Sequence, residues 1–234
     1  MITDFFPMKK IRILTAFPEF FDSPLKCSMF QKAQDKHLIF FEIMDLRDYT
    51  ADKHRTVDDK PYGGGPGMVF KPEPLYNAIN AVKEKSAGSC FIYFSPKGRL
   101  FKSGIAREFA LKDDLTLVCG HYEGIDQRII DNLIDEEISI GDYILTGGEI
   151  AGLVFMDSFI RFIPGVLGNE ESLHNESFEN SLLDFPHYTR PYDFRGCKVP
   201  DVLISGNHKE IEKWRAEQSL IITRKRRPDL LSNE

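Results

Sequence analysis

Short apolar runs rich in β-branched residues recur through about the first two thirds of the chain, separated by stretches of helical periodicity. Residues 11–17 (IRILTAF), 38–44, 90–94, 115–119 and 137–140 read as strands, bounded by turn residues. Residues 18–34, 73–85, 103–111, 124–134 and 148–162 read as helices, the second with prolines in its first turn, where a missing N–H does no harm. Strands that alternate with helices predict an α/β fold with a parallel sheet covered on both faces. After Phe162 the pattern stops. Residues 164–181 are polar, glycine-containing and aperiodic, and are expected to form a linker between a first domain (1–163) and a small, mostly helical one (182–234). The second domain shows one clear helix over 208–222, with Ile211, Trp214 and Ile221 as its apolar stripe.

The composition fits this picture. A chain of 234 residues with 42% hydrophobic and 28% charged residues is neither disordered, collagen-like nor membrane-spanning. Cys27, Cys90, Cys119 and Cys197 are far apart and form no C-x-x-C pair, which argues against a zinc ribbon or a disulfide framework and suits a reducing compartment. Residues 1–10 lack the charged-then-apolar order of a signal peptide, so the expected location is cytoplasmic. The net charge of −6 hides an uneven distribution. Residues 113–149 hold ten acids and one arginine, whereas 187–228 hold ten Lys/Arg against five Asp/Glu. Such a basic segment is either a phosphate-binding module or a solvated helix, and charge alone does not separate the two.

Neither the dinucleotide fingerprint G-x-G-x-x-G nor the P-loop G-x-x-x-x-G-K-[ST] occurs. Instead, each of three late strands is followed by a loop of small residues: SPKGR (95–99), GHYEGID (120–126) and IGDYILTGGE (140–149). Ligands of open α/β sheets bind beyond the carboxyl ends of strands. The six glycines of these loops (Gly98, Gly120, Gly124, Gly141, Gly147 and Gly148) therefore fit a shared pocket built from backbone groups, or else three ordinary turns. On the nearly all-apolar 148–162 helix, Asp157 and Arg161 are four residues apart, which suits either a partly buried site or an intrahelical pair. Asp58 and Asp59 precede a loop of four glycines, PYGGGPGM (61–68), that cannot bury itself by side chains. The linker acids Glu170, Glu171 and Glu176 are indistinguishable by spacing, and His54, His121 and His187 show no metal-ligand spacing.

Taken in order, the segments DKHRTVDDKPYGGGPGM, YFSPKGR, CGHYEGIDQR, ISIGDYILTGGE, RFIPGVLG, LLDFPHYTRP and KWRAEQSL…RRPDLL closely resemble the bacterial tRNA (guanine-N1)-methyltransferases, the TrmD family of the SPOUT class. The resemblance runs from Ile11 to Leu231. It implies a deep trefoil knot in the first domain, a fold exception that periodicity does not reach. It further implies methyl transfer from S-adenosylmethionine (SAM) to N1 of the guanosine at tRNA position 37, and a homodimer with its active site between subunits. By motif position, SAM would meet Tyr93, Phe94, Ser95, Pro96 and Gly98; Gly120, Tyr122, Glu123 and Gly124; and Ser139, Ile140, Gly141, Asp142, Tyr143, Ile144, Leu145, Gly147 and Gly148. Arg161 matches the family's catalytic arginine, and Asp58 an acid at the tRNA end of the site. The second domain would grip the anticodon stem-loop, and Mg2+ would enter, if at all, with the tRNA or the donor.

The chain departs from the family pattern at several positions. Glu176 stands in ESF where the family commonly has the aspartate of DSF as its base. The two acids have similar reference pKa values, about 3.9 and 4.3, but differ in reach by one methylene. His121 replaces an arginine of CGRYEGID, Ile222 an arginine of SLxRT, and Gln31-Lys32 a Gly-Arg pair. The roles that follow are Glu176 as general base on N1, Arg161 as stabiliser of charge at O6, and Asp157 as the group orienting Arg161.

Overall fold

A computed structural model describes residues 8–168 and 176–231, apart from the side chain of Glu179. The chain divides into two compact units at 168/169. In the first, β1 (Lys9–Thr15), β2 (Ile39–Asp45), β5 (Cys90–Leu100), β6 (Asp114–Val118) and β7 (Glu136–Ser139) form one sheet, with a two-residue pair β3 (Asp58–Asp59) and β4 (Val69–Phe70) beside it. The sheet order is β2-β1-β6-β5-β7 and every neighbouring pair is parallel, as the alternating pattern predicts.

Both sheet faces are covered. Ile92 and Phe94 of β5 join Ile11, Ile13, Leu115 and Leu117 in one core, against α1 (Ser28–Asp35), α3 (Ser103–Ala110) and α5 (Gly148–Ile160). The alternate residues Phe91 and Tyr93 join Leu14 and Val118 in a second core, against α2 (Pro72–Lys85) and α4 (Gln127–Leu133). Phe155 of α5 packs against the rings of Phe94, Phe101, Phe109 and Phe159 at centroid separations of 4.9–5.5 Å. Arg12 is a charged residue in a buried strand, and it is paired on both sides: with Glu42 of β2 at 3.1 Å and Asp114 of β6 at 2.6 Å. A buried guanidinium persists only with such partners.

The structure corrects several boundaries. The helix expected over 18–34 is two 3-10 turns, Pro18–Phe21 and Pro24–Lys26, followed by α1. Pro24 lacks the N–H a continuous helix would need, and Cys27 is extended, so the chain restarts at Ser28. The helix expected from Gly124 begins at Gln127, because the Asp126 carboxylate caps it by accepting from the Arg128 N–H at 2.9 Å. The first unit also continues past 163, since Ile163 and Val166 are buried in its core.

Strand β5 does not stop at Phe94. Phe94 and Arg99 both pair with Ile138 of β7, so residues 95–98 bulge out of the ladder between them. The bulge returns so close to β7 that a Cβ on Gly98 would lie 2.4 Å from the Glu137 carbonyl carbon.

In the second unit, the hairpin β8 (Asp193–Phe194) and β9 (Cys197–Lys198) precedes α6 (Asp201–Ile204) and the 19-residue α7 (His208–Arg226). The side chain of Asn207 caps α7. The apolar stripe runs through Ile211, Trp214 and Ile222, whereas Ile221 is exposed. At 100° per residue, position 222 returns to within about 20° of 211, while 221 lies about 80° away. Thr223 is fully buried and its Oγ1 accepts the Leu183 N–H at 2.8 Å, tying the start of this unit to α7.

Gly98→Ala should cost about 1–3 kcal/mol of folding stability, because a methyl group there meets β7 backbone that cannot move alone. Gly104→Ala, inside α3 with nothing within 4 Å, should stabilise by about 0.5–1 kcal/mol. Urea unfolding of the two variants checks both, and equal midpoints would contradict the expected contrast.

Candidate functional site

Beyond the carboxyl ends of β6 and β7, and at the 95–98 bulge of β5, lies a cleft of about 300 Å³. Its walls are the three glycine-containing loops expected from the sequence. Of the eighteen residues expected there, all but Gly98 and Asp142 line it; Lys97, His121, Ile138, Thr146 and Ala151 line it as well. Gly98 serves instead as the contact between the 95–98 bulge and β7. Motif position cannot separate a glycine that faces a cavity from one that faces the neighbouring strand.

The loops meet through backbone. The Gly148 N–H donates to the Gly120 carbonyl at 2.8 Å, and a Cβ on Gly148 would lie 2.9 Å from the Cys119 Cα. A Cβ on Gly120 would lie 2.9 Å from the Tyr93 ring. Gly141 adopts φ +143°, a left-handed conformation that side chains rarely tolerate. The small residues thus serve the approach of one turn to another, and the cleft is the space that this approach encloses. Its lining combines glycine turns with polar side chains such as Ser95, Lys97, Glu123, Ser139 and Thr146, and Tyr93 and Phe94 add ring surface.

Tyr93 is 5% exposed, and its hydroxyl stands over Gly120 and Gly124. Burial, with the Glu137 charge adding to it, pushes its pKa up to about 12 against the pull of a hydrogen bond with the Ile125 backbone. Burial likewise pushes the Cys119 thiol well up, with the Glu149 carboxylate adding to it, so this cysteine is no thiolate nucleophile.

The 120–126 turn is also stitched to β4. The Phe70 N–H donates to Gly124 O at 2.9 Å, the Asp126 N–H to Phe70 O at 3.1 Å, and the Glu123 N–H to Met68 O at 3.0 Å. β4 pairs with β3, which brings half-buried Asp58 and the glycine loop 61–67 beside the cleft turn. Gly63, Gly64 and Gly65 have positive φ and open space around them, whereas Gly67 rests on the Glu123 side chain.

Arg161 stands apart. It is the C-cap of α5, whose N-terminal Gly148 lines the cleft, and thirteen residues at 1.5 Å each place it about 20 Å farther along the axis. The expected pairing with Asp157 is not formed: among the described residues Asp157 is exposed and makes no side-chain hydrogen bond or ion pair. The apolar character of α5 comes from core packing on one side and from Ile150 and Val154, about 40–45% exposed, on another. Ile150, Val154, Asp157 and Arg161 share that outward face by their spacing.

Glu176 belongs to the second unit, where it lines a hollow with Leu183, Phe185, Glu212 and Arg215; the Arg215 guanidinium lies 4.8 Å from the Phe185 ring centroid. Glu170 and Glu171 lie outside the described residues. Among the described residues no group of three His, Cys, Asp or Glu could hold a metal ion, and no helix is long and apolar enough to cross a membrane.

A raised tyrosine pKa favours the folded state while the phenol is neutral. The contribution is complete below about pH 10, the reference value for the unfolded chain, and is lost as pH rises towards about 12. Tyr93→Phe should therefore flatten the fall in stability over pH 10–12, read by urea unfolding at each pH; an unchanged slope would contradict the burial of this phenol.

The match to known proteins extends over both units. The family model described as tRNA (Guanine-1)-methyltransferase TrmD covers residues 8–233. A tRNA (guanine-N(1)-)-methyltransferase of Carboxydothermus hydrogenoformans is 54% identical over 222 residues, 95% of this chain and 87% of that relative. The protein of the same name from Dehalococcoides mccartyi is 52% identical, over 95% of this chain and 90% of its own length. That of Clostridioides difficile is 49% identical, over 96% and 99%. With a glycine-turn cleft at the carboxyl ends of a parallel sheet, and identity near one half from end to end, the chain belongs to the tRNA (guanine-1)-methyltransferase family TrmD.

Proposed function

We propose that this protein transfers a methyl group from SAM to N1 of guanosine 37 in tRNA, next to the anticodon. The observation that carries the reading is the cleft walled by three close-packed glycine turns, in a chain that matches the family along its whole described length. Its volume and its mixed apolar and peptide lining suit a nucleoside-sized ligand. A site made of backbone groups also accounts for the lack of a dinucleotide fingerprint. The donor supplies an electrophilic methyl group that is already activated, so the protein's work is to position the guanine and make N1 nucleophilic.

N1 carries a proton at neutral pH, and a carboxylate within hydrogen-bond reach must remove it. Glu176 is the proposed base. As the proton leaves, negative charge spreads to O6, where Arg161 is the proposed stabiliser. Asp58, held by β3 beside the cleft turn, is the proposed acid at the tRNA end. N1 lies on the Watson–Crick edge, so the guanine must leave its stack, and a loop base does so at low cost.

We further propose a homodimer whose sites are shared. Arg161 is about 20 Å along α5 from the cleft of its own chain, and it shares an outward face with exposed Ile150 and Val154. A second copy seated on that face would bury the apolar residues and bring Arg161 to the partner's cleft. The trefoil knot belongs to the same proposal: the segment after β7 turns back past the 119–121 turn, with His121 bridged to Gly147. The first unit, to Gly168, would carry the knot and donor site, the start of the second unit the base at Glu176, and 182–234, with the basic end of α7, the tRNA contacts. The cytoplasm is the proposed location, with Mg2+ entering only with the tRNA or donor.

Digestion of G37-unmethylated tRNA after incubation with protein and SAM should release 1-methylguanosine on mass spectrometry, and a G37→A transcript should yield none. A methylated ribose, or methylation surviving that change, would overturn the reading. Arg161→Ala should lower turnover by about 10²–10³-fold with SAM affinity nearly intact. Glu176→Gln should lower it by about 10²–10⁴-fold while tRNA still binds. Equimolar mixing of Arg161→Ala chains with Gly148→Ala chains should recover about a quarter of wild-type activity if sites are shared, and none if each chain works alone.

A further inference from the structure

Two polar groups face one another where His121 lines the cleft, and one of them lacks a hydrogen-bond partner among the described residues. Glu149, in the first turn of α5, is 3% exposed. Its Oε1 accepts the Thr15 hydroxyl at 2.8 Å, and Thr15 Oγ1 in turn accepts the Phe17 N–H at 2.9 Å. Its Oε2 lies 3.9 Å from His121 Nδ1. That nitrogen is buried and, among the described residues, has no hydrogen-bond partner. The imidazole is held by rings: Phe17 at 4.7 Å and Tyr122 at 4.8 Å between centroids.

Gly147 explains why the two groups can come together. Its backbone is bridged to His121, and a Cβ there would lie 2.4 Å from His121 Nδ1 and 2.3 Å from Glu149 Oε2. Any side chain at 147 would occupy the space between nitrogen and oxygen. The pair therefore spans the junction of two adjacent loops, 120–124 and 145–149, both of which line the cleft.

A buried carboxylate is costly unless its charge is met by hydrogen bonds, and Thr15 supplies one. The Nδ1–H tautomer of His121 supplies the next once the gap closes by about 1 Å, to the length of a charge-assisted hydrogen bond. Closing it adds a side-chain tie to loops that already meet through the Gly148 N–H and the Gly120 carbonyl. We infer that His121 and Glu149 are a positioning pair: their contact across the Gly147 backbone fixes the junction of the two loops and so the affinity for the methyl donor. Neither is a catalytic residue. The inference rests on the proposed use of the cleft by SAM.

The test measures SAM binding by calorimetry and steady-state methylation of tRNA for the wild type, His121→Phe, His121→Asn and Glu149→Gln. His121→Phe keeps a ring against Phe17 and Tyr122 but removes the donor. It should weaken SAM binding and raise KM for SAM about tenfold, with kcat changed by less than about twofold. His121→Asn keeps an N–H at the same branch point without the ring, and should recover most of the lost affinity. Glu149→Gln keeps an acceptor but loses the charge, so it should lose part of what His121→Phe loses, and the double variant should be no worse than His121→Phe alone. Wild-type affinity in His121→Phe, or equal losses in His121→Phe and His121→Asn, would reduce the histidine to packing and overturn the inference. Should Glu149→Gln fail to fold, the two His121 variants decide alone. A wild-type protein that binds no SAM would overturn the cleft reading itself, whereas normal binding with unaffected variants would overturn only this pair.

Discussion

Backbone meets backbone at the carboxyl ends of three parallel strands, and most of this protein's organisation follows from that contact. A Cβ at Gly98, Gly120 or Gly148 would come within 3 Å of a neighbouring strand, ring or turn. With glycine there, the 95–98 bulge lies on β7, and the turn before α5 lies on the turn after β6. The cleft is the residue of that packing, bounded by peptide groups whose positions the ladder sets. Polar side chains such as Ser95, Lys97, Glu123 and Ser139 line it beside those turns.

Helix α5 links the cleft to the rest of the molecule. Its first turn closes the cleft at Gly147 and Gly148 and buries Glu149, and its middle is locked into one core by Phe155 among four other aromatic rings. It ends at Arg161, far from where it began. A rigid helix of this length separates the methyl donor's proposed site from the arginine proposed to act beside it, which is why the proposed function calls for a second copy. The acid proposed as base sits in the other unit, so the chemistry would be assembled from three pieces of polypeptide. Such an arrangement would couple turnover to correct binding of the RNA.

Much of the fold was legible in the sequence because its signals are local. The runs at 38–44, 90–94 and 115–119 are short and mostly apolar, and each is a strand in the structure, with 38–44 forming the sheet edge. The helix expected over 73–85 starts one residue earlier, at Pro72. Errors arose where a local pattern competes with a specific contact. Pro24 and the extended Cys27 interrupt a stretch with helical spacing, and the Asp126 cap delays α4 by three residues. The stripe on α7 falls on Ile222 rather than the expected Ile221, because two adjacent isoleucines offer the same chemistry and only the phase separates them.

The sequence by itself determined the parallel α/β class, the three glycine loops that make the cleft and, through long motifs, the family. All of these depend on residue type and spacing along one strand, turn or helix. Only the tertiary structure decided that Gly98 packs on β7 rather than lining the cleft, that Asp58 lies beside the 120–126 turn, that Arg161 is remote from the cleft of its own chain and unpaired with Asp157, and that His121 faces Glu149, which Thr15 holds. Each of these is a meeting, or a separation, of residues distant in sequence. The order of strands in the sheet sets such distances, and no spacing along the chain encodes them.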